Sequence, residues 1–350
     1  MSDTIVSSSA SATKVTELFN AIDALLTGDK FALANRWTRV YTKNGNITET
    51  VDGVTTTISV VDSAQMSEVI YMGVGDGADK IYIGMRIIMS AIDATWGTLE
   101  FNGYAGFDAD LNSWTDQPGA ISKFPLNTGL PSYPIANNTT FTYWITATTK
   151  RFIVVTKLAT QYMTGYFGFF TPVAVEKQFP YPLVLAGTTY DNTVSWDSGN
   201  VSSVTDPISA GYNAGGSFST TIPSVTSASL KTSMRYRKVD GTWGAGYNNN
   251  GASKFGELNV WPTNTESTEL YTCYNSIDSG VTKDSHLLID FFLSSNYPQN
   301  LLGKLDGIFW IGGAKDIASE NVVTINDTDY IIFANILARG GNDYYAVEWA

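Results

Sequence analysis

A mainly β chain is predicted, an antiparallel β-sandwich-like body with one amphipathic N-terminal helix and a loop-rich insertion. Three observations carry this prediction. Short runs rich in Val, Ile, Thr, Tyr and Phe recur along most of the chain, separated by Asn-Gly and Asp-Gly turn signals. Only one early stretch repeats its apolar residues at helical spacing. Between about residues 191 and 264 the composition shifts toward Gly, Ser, Asn and Thr.

The elements follow in order. Val15, Leu18, Phe19, Ile22, Leu25 and Leu26 form one apolar stripe, Gly28 supplies a stop, and Thr13 or Ser11 is expected to cap the start. Arg36 to Lys43 reads as a strand, and Asn44-Gly45 turns it back toward a second strand at Ile47 to Val51. Asp52-Gly53 precedes another at Thr55 to Val61, and Gly75-Asp76-Gly77 separates Val69 to Val74 from Ile81 to Met89. Further strands are read at Gly97 to Phe107, Thr140 to Ile145, Phe152 to Lys157 and Gly165 to Phe170. Thr98, Glu100 and Asn102 alternate with Leu99 and Phe101, as in a half-buried antiparallel strand. After the polar insertion, strands resume at His286 to Leu293, Gly307 to Ile311, Val322 to Ile325, Tyr330 to Ile336 and Tyr344 to Trp349. The expected division is an arm and helix at 1–30, a β-rich domain at 31–190, and the loop-rich region with a C-terminal β-domain at 191–350. No fixed-period repeat is visible.

Composition excludes several chemistries. The 350 residues carry 21 basic and 33 acidic side chains, a net charge of −12. Such a surface repels phosphate backbones, so no nucleic-acid partner is expected. One Cys and one His cannot assemble a Cys/His metal site or an intrachain disulfide. No stretch reaches 18 consecutive apolar residues, so no membrane span is expected. The polar start from Met1 to Lys14 lacks the apolar core of a signal peptide, so a cytoplasmic origin is expected.

The motifs point mostly to structure. Asp108, Asp110, Asn112 and Asp116 place oxygens at alternate positions, like the start of a calcium loop. Ser113 replaces the sharp-turn Gly and Gly119 the closing Glu, so a surface loop is the favoured reading and no metal or cofactor is expected. Gly73-Val-Gly75-Asp-Gly77 leads into a strand rather than a helix, so it is a hairpin loop and not a phosphate cradle. Neither a P-loop nor a Gly-x-Ser-x-Gly elbow is present. Asp284-Ser285-His286 contains triad residue types, but adjacency is the wrong geometry, and His286 is read as structural. Paired carboxylates depend on spatial pairing, and the sequence singles out no pair. No catalytic residue is assigned.

Aromatic residues make up 13% of the chain, more than the strand cores need. Phe167, Phe169, Phe170, Phe309 and Trp310 lie within strands and read as core. Trp114, Trp196, Trp243, Tyr247 and Trp261 sit in polar stretches, where a flat ring serves a protein contact or, as the lesser reading, stacks on a sugar.

Several segments together carry a family resemblance. They are Arg151 to Lys157, Gly165 to Pro172, Phe179 to Leu183, Leu305 to Ile311, Tyr330 to Phe333 and Asn342 to Ala346. The set resembles a group of tailed-bacteriophage virion structural proteins from the neck, tail or baseplate. It covers the middle and C-terminal third of the chain and barely touches residues 191–264. The resemblance implies a β-rich body behind a short helix, closed by an aromatic hairpin. It also implies a non-enzymatic subunit assembled in the host cytoplasm, whose partners are other virion proteins and copies of itself in a ring. Val15, Leu18, Phe19, Ile22 and Leu26, with Tyr344 and Trp349, are the expected contact residues, the monomer core being the equal alternative for each. A receptor-binding module that recognises host glycan through the loop aromatics is the second reading, and a polysaccharide-degrading enzyme the third.

Overall fold

The computed structural model describes residues 4–51, 54–59, 61–76, 79–89, 96–108, 113–115, 132–136, 138–158, 161–173, 179, 181–188, 232–247, 258–261, 288–296, 299–312, 317–334 and 343–350. In chain order they form β1 (Val6–Ala12), helix α1 (Val15–Thr27), β2 (Thr38–Asn44), β3 (Ile47–Val51), β4 (Val54–Ser59), β5 (Met66–Asp76) and β6 (Asp79–Met89). Next come β7 (Trp96–Tyr104), β8 (Gly106–Asp108), β9 (Ser113–Thr115), β10 (Ser132–Ala136), β11 (Phe141–Ala147), β12 (Arg151–Leu158) and β13 (Gln161–Phe169). The rest are β14 (Thr171–Pro172), β15 (Leu183–Thr188), β16 (Thr232–Arg237), β17 (Trp243–Tyr247), β18 (Leu258–Trp261), β19 (Leu288–Asn296), β20 (Gln299–Gly312), β21 (Val322–Ile325), β22 (Thr328–Ala334) and β23 (Asp343–Trp349).

The antiparallel, mainly β architecture follows the sequence expectation. Three sheets dominate: a seven-stranded one ordered β1-β11-β12-β13-β15-β16-β17, a five-stranded one ordered β10-β7-β6-β5-β2, and a third ordered β18-β19-β20-β23-β22-β21 with β14 alongside β20. The first is the middle layer, and β12 shows why. A strand buried on both faces cannot alternate apolar with polar, so it reads as a continuous apolar run. Phe152 and Val154 enter one core with α1 and the five-stranded sheet, whereas Ile153 and Val155 enter a second core with the third sheet. The same division puts Phe167, Leu183 and Leu185 in the first core and Tyr166, Val184 and Ala186 in the second. A third cluster, Ile311, Ile317, Tyr330, Ile332 and Ala346, lies apart from both.

Helix α1 begins where expected, but its start is held differently. The Glu17 carboxylate accepts the backbone N–H of Thr13 at 2.6 Å and of Lys14 at 3.1 Å, in place of a Thr13 or Ser11 hydroxyl cap. Val15 packs over Gly97, where a Cβ would lie 2.5 Å from its Cγ1. Asp23, buried on the helix, takes a bidentate pair from Arg39 at 2.7 and 2.6 Å and a hydrogen bond from the Tyr71 hydroxyl at 3.1 Å. These bonds fix the helix to β2 and β5.

Two further differences have physical reasons. Gly45 turns the chain with φ +70, but β2 pairs with β5 rather than β3, and β3 pairs instead with β4 as a separate hairpin. The turn signal was real, but the strand after it closes on β4, its next neighbour in sequence, and β2 pairs across to β5. The serine-rich start becomes strand β1, paired residue for residue with β11 from Val6↔Ala147 to Ala12↔Phe141. The central sheet therefore draws strands from all three expected segments, because β16 and β17 extend it beyond residue 191.

Candidate functional site

Two clusters of charged residues stand out, and both are built by sheet geometry. The first joins the middle and third layers. Arg151, fully buried at the head of β12, donates from Nε to Asp306 at 3.1 Å and from Nη2 to Glu348 at 2.9 Å. Gly307 adopts φ +68 beside the guanidinium, which lies where any Cβ would project. The Tyr166 hydroxyl donates to Phe169 O at 2.6 Å and receives the Asp306 N–H at 3.3 Å. Burial raises the Glu348 carboxyl above the usual carboxylate range, Arg151 pulls it down, and Asp306 adds to the rise. Arg151 Nη1 is buried without a hydrogen-bond partner among the described residues. Lys157 and the Tyr162 hydroxyl both bond Glu320, the latter at 2.6 Å, and Thr164 bonds Tyr345. Burial alone would raise Glu320, but the bonds from Lys157 and Tyr162 outweigh it and hold the carboxyl low.

The second cluster crosses the outward face of the five-stranded sheet. Register places Lys43, Glu68, Arg86 and Glu100 in one row over β2, β5, β6 and β7. Arg86 Nε donates to Glu100 Oε2 at 2.7 Å, with both side chains about nine-tenths buried. Glu68, Arg86 and Glu100, with Gly84, Asn102 and Tyr104, line a half-open recess of about 270 Å³, mouth included. Burial raises the Glu68 carboxyl, Arg86 and Lys43 oppose the rise, and Glu100 reinforces it. Burial also drives the Tyr104 phenol upward, so at neutral pH it stays protonated. Thr98, Glu100 and Asn102, expected on a half-exposed face, are instead buried, with β4 and β8 packed against β6.

The residues expected from sequence are scattered. Val15, Leu18, Phe19, Ile22 and Leu26 are fully buried in the first core, so the helix stripe serves the chain's own interior. Of the two readings of the stripe, subunit contact and the chain's own core, the burial matches the second: the middle sheet and the five-stranded sheet flank the helix. Tyr344 and Trp349 are half-buried on β23, against different clusters. Of the aromatics assigned to loops, Trp114, Trp243, Tyr247 and Trp261 stand on strands β9, β17 and β18, and Trp196 lies outside the described residues. Trp243 packs against the first core with the Arg237 guanidinium 5.8 Å from its ring centroid. Asp108 is exposed on β8, whereas Asp110, Asn112 and Asp116, like His286 and Cys273, lie outside the described residues. Among the described residues no three His, Cys, Asp or Glu side chains converge to hold a metal, and no helix is long and apolar enough to cross a membrane.

Sequence reasoning missed both charged clusters. Their one signal was the isolated charge in otherwise apolar strands, Arg86 within Ile81 to Met89 and Arg151 before Phe152 to Val155. No protein-family model matches the chain, and no curated protein matches it.

Proposed function

We propose that the chain is a non-enzymatic structural subunit of a tailed-phage particle, placed in the neck, tail or baseplate and acting through subunit contacts. One observation supports the reading most. The segments that carry the family resemblance lie far apart in sequence, yet three of the six meet at the Arg151 clasp. Arg151 opens the first segment, Tyr166 lies in the second, Asp306 and Gly307 lie in the fourth, and the β22–β23 pairing joins the last two. A body whose middle and third layers are tied by a buried ion cluster suits a part that keeps its shape under load. Contact with more basic neighbours fits the net charge of −12.

The test is the mass of the purified chain by light scattering at two concentrations, with a glycan array run beside it. A discrete oligomer and no saturable glycan signal are expected. A monomer at both concentrations that binds glycan saturably overturns the reading in favour of a receptor-binding module.

A further inference from the structure

We infer that the chain associates head to tail, the basic β16–β17 hairpin of one copy meeting the acidic β21–β22 hairpin of the next. The inference rests on the self-assembling reading above and specifies its contact.

Charge is segregated along the sequence. Residues 207–256 hold five basic side chains and one acidic one, in a chain whose net charge is −12. Residues 316–338 hold four acidic side chains and no basic one. Each stretch contains a hairpin, β16 with β17 in the first and β21 with β22 in the second. On β16, Arg235 and Arg237 share a face by the two-residue period of a strand, and Lys238 follows at the turn. Asp240, the single carboxylate of that stretch, is folded back on its own turn, accepting the Thr242 N–H at 2.9 Å and the Thr242 hydroxyl at 2.7 Å. At the tip of the second hairpin, Asn326 and Asp327 take φ +50 and +61, as a two-residue turn of this hand requires. Asp327 and Asp329 are exposed there, whereas Glu320 is already bonded by Lys157 of its own chain. Each hairpin also exposes one valine, Val239 at 54% and Val322 at 51%, so the contact has apolar surface to cover as well as charge.

Topology sets the two hairpins on opposite sides of the layered body. β17 ends the middle sheet and lies against β18, which ends the third. On the far side β23 lies against β11, and β22 and β21 continue the third sheet past it. Held apart in this way, neither hairpin can reach the other within one chain, and each finds its complement on a second copy. Charge complementarity selects that occupant. Two copies with a net charge of −12 repel at a distance, and a positive hairpin set against a negative one offsets the repulsion and fixes the register. Such a contact joins unlike surfaces, so it repeats from copy to copy and closes a ring where the rotation allows. Two hairpins bury less than the roughly 1,200 Å² of a standard interface, so association is concentration-dependent and weakens with salt.

Charge exchange tests it in the full chain, by light scattering at about 50 mM salt, where screening is weak. Lys238→Glu spoils only the basic hairpin and Asp329→Lys only the acidic one. Each variant alone is expected to associate at least about tenfold more weakly than wild type. An equimolar mixture of the two is expected to give a dimer that grows no further, since it joins the intact acidic hairpin of the first to the intact basic hairpin of the second. The double variant exchanges both signs and is expected to recover self-association, which a misfolded chain cannot do. A mixture that stays monomeric overturns the inference. An oligomer that ignores both substitutions also overturns it, and leaves the virion reading standing with its contact elsewhere.

Discussion

Arg151→Met tests the central clasp most sharply, because its effect is calculable and reversible. The substitution leaves Glu348, whose side chain is 21% exposed, and Asp306, which is 46% exposed, without their cation. Breaking a buried pair from one side costs about 3–5 kcal/mol. Two effects reduce that here. Asp306 is exposed enough to rehydrate, so its share is about 1 kcal/mol or less. Removing Arg151 also removes Nη1, a buried donor with no partner among the described residues, and this relieves on the order of 1 kcal/mol. The expected net loss is about 2–3 kcal/mol. With a urea dependence of about 3 kcal/mol per molar, the midpoint falls by roughly 0.7–1 M. Tryptophan fluorescence is a suitable readout, since Trp310 is fully buried in the same layer. Adding Glu348→Met removes the stranded carboxylate and is expected to recover most of the loss, because replacing a whole buried ion cluster by apolar residues is often neutral. A midpoint within about 0.2 M of wild type for Arg151→Met refutes the reasoning, as does a double variant no better than the single one.

Three further outcomes follow from the same geometry. Gly307→Ala combines a left-handed backbone with a collision against Arg151, and is expected to cost at least as much as Arg151→Met in the same urea experiment, about 3 kcal/mol or more. Trp37 is buried, donates to Thr148 O at 2.9 Å and meets Phe152 edge-on at 5.7 Å; Trp37→Ala is expected to cost about 3–5 kcal/mol by the same readout. Glu68 has a raised carboxyl in the folded chain, so its contribution is fully present below the unfolded value and is lost as pH rises through the folded one. Glu68→Gln removes that loss, so the variant's thermal midpoint relative to wild type is expected to be higher at pH 8 than at pH 5, and a relative midpoint lower at pH 8 than at pH 5 contradicts that sign.

Helix α1 and most strands were legible because each depends on residues close in sequence. The stripe from Val15 to Leu26 can be satisfied in one way, and the structure ends the helix at Thr27, beside the expected stop. The strand at Val322 to Ile325 also matches, since the residues around it break the apolar pattern. β1 was hidden because Ser and Ala give no period-2 hydrophobic signal; it is a strand only because β11 pairs with it more than 120 residues later. The Phe152 to Val155 run was readable as a strand, yet its continuity already encoded burial on both faces and hence a middle layer. The charged clusters were invisible for a different reason. Arg151 lies in the middle sheet and Asp306 and Glu348 on paired strands of the third, so they meet only when the two sheets pack, and Glu68 meets Arg86 and Glu100 only through register. Local pattern carries neither.

The most direct measurement of the proposed role is quantitative mass spectrometry of phage particles purified on a density gradient from a lysate that expresses this chain. The expected result is a constant ratio of this chain to the major capsid protein across every particle-containing fraction. Its recovery only in the soluble fractions, with none co-migrating with particles, contradicts the assignment to the virion.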